Sequence, residues 1–107
     1  MDYLDLSSFD TSSVKYMGGM FARLGCADEG HRLQYFDISG FDTSNVKDMN
    51  QMFRECHVTS LNLSHFDTSK VEQMYEMFIH CTAESITGLT IPEGCDTHDM
   101  YKDTIFE

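Results

Sequence analysis

"FDTSNVKDMNQMFREC", residues 41–56, decides the fold, because its frame returns as "FDTSKVEQMYEMFIHC" at 66–81 and, more loosely, as "FDTSSVKYMGGMFARLGC" at 9–26. Phe, Asp, Thr, Ser, Val, Met, Met, Phe and Cys keep their places while the residues between them vary. Phe41 and Phe66 lie 25 residues apart, and Phe9 and Phe41 lie 32 apart. The extra residues fall around "ARLGCADEGHRLQY", where Cys26 follows its Phe by five places instead of three, and they read as a loop inserted into the first repeat. A frame that recurs at this period marks units that stack, each burying its apolar face on the next.

Inside a repeat two periodicities alternate. Val46, Met49, Met52 and Phe53 stand at i, i+3, i+6 and i+7, one stripe of a helix, with Lys47, Asp48, Asn50 and Gln51 opposite. Val71, Met74, Met77 and Phe78 repeat the stripe. Met17, Met20, Met49, Met52, Met74 and Met77 all fall on it and are expected in the core. Asp42, Thr43 and Ser44 are the residue types that cap a helix start. Between the stripes, "LDLSSF" (4–9), "FDISGF" (36–41), "LNLSHF" (61–66) and "LTI" (89–91) alternate with the period of a short strand, and all four are expected to pair. Strands joined in one sense through helices run parallel. The expectation is an α/β coil of strand, turn and helix with a parallel sheet on one face. It forms a single domain over 1–107, with repeats at about 4–35, 36–60 and 61–88 and a C-terminal cap at 89–107. Within that cap "CDTHDM" reads as a decayed "FDTSNV", with Cys95 in the Phe place and Met100 in the Val place.

Eighteen acidic against seven basic residues leave a net charge of −11, which disfavours a nucleic-acid backbone as ligand and favours a protein partner with a basic surface. Residues 84–107 carry six of the acids against Lys102 alone. No apolar run approaches membrane-spanning length, and "MDYLDLSSFD" has neither the basic head nor the apolar stretch of a secretory signal. The chain is expected to be intracellular if complete, and at a cell surface if it is a piece of a longer exported protein.

Cys26, Cys56 and Cys81 occupy corresponding places and read as a column of buried thiols. Zinc candidates are Cys81, Cys95 and His98, because "CDTH" has the gap of a half-site, but the pattern lacks the paired ligands of a structural zinc. No nucleophile, base and orienting acid stand apart from the repeat, no glycine-rich phosphate loop is present, and the reading is a non-enzyme without a cofactor. Partner binding is then left to the variable exterior. Asp5, Asp37 and Asn62 lie on the strand face, Tyr16, Tyr75, Glu72 and Glu76 on the helical face, and Asp96 and Asp99 in the acidic tail.

The frame L-x-L-S-x-F-D-T-S-x-V-x-x-M-x-x-M-F-x-x-C resembles the BspA-like leucine-rich repeats and the short-period repeats of bacterial and mycoplasma surface lipoproteins, over about residues 4–91. The resemblance implies a small right-handed solenoid that binds proteins, often in adhesion or host contact, with no catalytic residues to carry over. A second reading is a phage-encoded acidic inhibitor of the anti-CRISPR type. Such a protein would present carboxylates where phosphates would lie and block a basic nucleic-acid-binding enzyme.

Overall fold

In the computed structural model, which describes residues 3–6, 8–24, 33 and 35–107, no α-helix occurs among the described residues. The expected strand-turn-helix solenoid of leucine-rich-repeat type is therefore corrected. Among the described residues regular structure is confined to four strands of three residues each: β1 (Tyr3–Asp5), β2 (Tyr35–Asp37), β3 (Ser60–Asn62) and β4 (Ser85–Thr87). They form two separate parallel pairs, β1 with β2 and β3 with β4, instead of one sheet. β4 is "SIT", not the expected "LTI". Ile86 pairs with Leu61, 25 residues on, so the repeat period was the better guide to this strand than local alternation.

The segments expected to be helical are runs of tight turns. In the second repeat the amides of Met52, Arg54 and Cys56 donate to the carbonyls of Met49, Gln51 and Phe53, three residues back, at 3.1–3.2 Å. The amides between them leave the segment: Met49, Gln51, Phe53 and Glu55 donate to Gln73, Tyr75, Met77 and Ile79 of the next repeat. The same ladder joins Met17, Gly19, Phe21 and Arg23 to Asp48, Asn50, Met52 and Arg54, and joins Met74, Glu76, Phe78 and His80 to Asp96, His98, Met100 and Lys102. Turning the chain this way requires left-handed backbone at two places per repeat, Gly19 and Arg23, Gln51 and Glu55, Glu76 and His80, Asp99 and Asp103. A non-glycine residue there costs about 1 kcal/mol or more.

Spacing decides the choice. Phe21, Phe53, Phe78 and Tyr101 form one ladder of nearly parallel rings, with centroids 5.7, 5.7 and 5.4 Å apart. Parallel bridges tie Tyr16 to Asp48, Asp48 to Gln73 and Gln73 to Asp96 along the same stack. Neighbouring coils are thus held near strand spacing, about 4.8 Å, whereas helix axes need about 8–10 Å. One helix per coil does not fit. A segment this short is also marginal as a helix in isolation, so the bonds between coils prevail.

The burial stripe survives without the helix. Met49, Met52, Phe53 and Cys56 are fully buried, as are Met74, Met77 and Phe78. Met20 is the exception at 44% exposed, because it lies on the end coil, and Phe9 is 56% exposed for the same reason while Phe41 and Phe66 are buried. The bridge from Gln73 to Asp96 aligns "CDTHDMY" (95–101) with "EQMYEMF" (72–78), so it forms a fourth turn run and not the expected remnant of "FDTSNV".

Candidate partner-binding surface

The frozen "DTS" works as a device that joins coils. Asp42 Oδ1 accepts from the Ser44 amide (2.9 Å) and the Ser44 hydroxyl (2.6 Å), and Asp10 with Ser12 and Asp67 with Ser69 repeat both bonds. Each forms a capped turn, the role expected of these residue types, but no helix follows. The threonine between them is buried and points along the stack. Thr43 Oγ1 donates to the Asp67 carbonyl at 3.0 Å and accepts from the Asp67 amide at 2.8 Å, and Thr11 does the same to Asp42.

Registered stacking brings the three aspartates into one exposed column. The serine hydroxyl, then the serine amide, holds each carboxyl below its ordinary 3.8. Asp10 and Asp67 push Asp42 weakly the other way. The result is a line of ionised carboxylates, one per coil. Reading these positions only as caps missed this surface, yet the signal was in the repeat, since one residue type at one place in parallel coils must form a line.

Asp37 and Asn62, both expected on the strand face, line one cleft of about 250 Å³ between β2 and β3, where the sheet is divided. Ser39, Ser60 and His65 share its wall. Asp37 Oδ1 accepts from the Ser39 amide at 2.8 Å. His65 Nε2 lies 2.8 Å from the Ile38 carbonyl, which only accepts, so Nε2 is the donor. Asp5 joins this face through its backbone pairing with Asp37, and its side chain lies outside the described residues.

The other expected residues lie elsewhere. Tyr16 is 70% exposed on the flank of the first coil. Glu72 borders a second groove with Lys47, Lys70 and Glu93. Tyr75 and Glu76 are half-buried, and Glu76 accepts from Gln51 Nε2 at 2.6 Å, which ties it to the neighbouring coil. Asp96 caps the His98 amide and Asp99 stands 3.1 Å from His98 Nε2, both exposed. Cys81 is buried, Cys95 is half-buried with a thiol pushed up by burial and by Asp96, and His98 is exposed. Among the described residues no three potential ligands gather around a metal position. Cys56 is also buried, while Cys26 lies outside the described residues.

These features define a stack of repeat coils, without helix among the described residues, that carries an acidic column and a divided strand face. The family described as "Mycoplasma protein of unknown function, DUF285" matches residues 3–89, and the chain belongs to that family. Nothing among the curated proteins or the solved structures matches it. No helix among the described residues is long and apolar enough to cross a membrane.

Proposed function

We propose that this chain is a non-enzymatic binding module for a protein partner with a basic surface, of the bacterial surface-adhesion kind suggested by its resemblance to BspA-like repeat proteins. The supporting observation is the column of Asp10, Asp42 and Asp67, held ionised by their serines on a molecule of net charge −11. Rigid coils fix the spacing of the carboxylates, and a partner carrying Lys or Arg at matching spacing meets them without reordering the backbone. The threonines beside them, Thr11, Thr43 and Thr68, are buried and serve the stack itself.

The test is binding of a lysine-rich polypeptide by calorimetry across salt concentrations. The variant D10N/D42N/D67N keeps a side-chain oxygen to accept from each serine but removes the charge. It is expected to bind more weakly than the parent and with a shallower salt dependence. Binding that ignores both salt and the triple substitution would remove the acidic column from the reading.

A further inference from the structure

The hydrogen-bond ladder between coils has a direction, and its two outermost rows find no partner among the described residues. Each coil donates alternate amides to the carbonyls of the next. On the first coil the carbonyls in the accepting places are those of Tyr16, Gly18, Met20 and Ala22, and no donor among the described residues reaches them. On the last coil the amides in the donating places are those of Thr97, Asp99, Tyr101 and Asp103, and no acceptor among the described residues meets them. Among the described residues the first coil thus presents a row of acceptors on one flank, and the last coil a row of donors at the same two-residue spacing on the other.

Side chains follow the same division. Among the described residues the exposed large apolar ones, Phe9, Tyr16, Met20, Ile91, Ile105 and Phe106, lie on the first coil or on the last and the segments flanking it. Phe106 tilts over the Tyr101 ring at 6.2 Å but accepts from none of the free amides. Charges in one column are complementary as well. Arg23, Glu55, His80 and Asp103 stand at equivalent places, two residues after each ladder ring, with Arg23 paired to Glu55 at 3.4 Å and His80 to Asp103 at 3.3 Å. Base stands at the head of that column and acid at its tail.

From these observations we infer that the chain associates head to tail with copies of itself, the 95–103 run of one molecule seating on the 15–23 run of the next and continuing the internal register. Asp103 then faces Arg23 of the following copy, and Asp96 continues the bridge column to its Tyr16. Such a contact is heterologous, so it leaves a new free edge at each end and builds open chains, not closed dimers. The inference does not rest on the proposed adhesive role. At physiological ionic strength charges more than about 8 Å apart are screened, so the net charge opposes the contact only weakly.

Sedimentation velocity over a concentration series tests this. Mean mass is expected to rise continuously with concentration, without a plateau at two copies. R23D and D103R each place like charges across the contact and are expected to weaken association roughly tenfold. Mixed together, the two variants set opposite charges at both contacts, Asp103 of R23D against Arg23 of D103R and the D103R arginine against the R23D aspartate, so the mixture should recover growth beyond two copies with the two variants alternating. Y16E alters an exposed side chain that the fold does not use, and it should weaken association by setting its carboxylate against Asp96. A parent that stays monomeric throughout, a dimer that never grows, or association unchanged in all three variants would overturn the inference.

Discussion

Thr43 carries more of the fold than its size suggests. Its buried hydroxyl serves both the amide and the carbonyl of Asp67, so T43V leaves both of those backbone groups without partners. A loss of about 1–3 kcal/mol is expected, read as a lower urea midpoint, while T43S keeps the hydroxyl and most of the stability. The adjacent Asp–Ser pairs respond to acid. Their folded carboxyls titrate below 3.8, so the stability they contribute is present above that pH and is lost as pH falls through the folded value. Removing the hydroxyl in S44A should move the Asp42 titration, followed by carboxyl NMR, up toward 3.8. Both roles were half legible: Asp, Thr and Ser announced a cap and turn, but nothing local said that Thr would point along the stack.

Among the elements, the turn runs show how a sound pattern leads to the wrong backbone. The stripe Val46, Met49, Met52, Phe53 was read as a helix, and each of these residues is indeed buried. Successive turns closing over three residues also return side chains to one face every three or four positions, so the pattern does not distinguish the two. Far-ultraviolet circular dichroism should therefore show no α-helical signature. Gly88 illustrates the closeness of neighbouring coils: its φ is +83°, and a Cβ there would lie 2.5 Å from Ser64 Cα. G88A is expected to destabilise by on the order of 2 kcal/mol in denaturant titration, through both strain and the clash with backbone.

Taken as one body, the protein depends on its ring ladder for cohesion between coils. Phe53 is fully buried between Phe21 and Phe78, with interplanar angles of 18° and 4°. F53A should cost about 3–5 kcal/mol, a large part of the roughly 5–15 kcal/mol that holds a domain together. Thermal denaturation of that variant should begin well below that of the parent, whereas F106A, beyond the end of the regular ladder and 38% exposed, should change stability far less. The ladder positions were readable as recurring Phe, and its fourth member, Tyr101, was not, because the last coil keeps little of the frame beyond Met100.

Period, core residues and the parallel sense of the coils follow from the amino-acid order alone, since recurring side chains that must be buried together leave little else for a chain of this kind to do. The backbone within each coil does not follow from it. A stack at strand spacing excludes a helix per coil, and that spacing arises only when coils from distant parts of the chain exchange hydrogen bonds. Tertiary packing likewise set the division between β2 and β3 and the line of carboxylates, because both depend on which coil lies beside which.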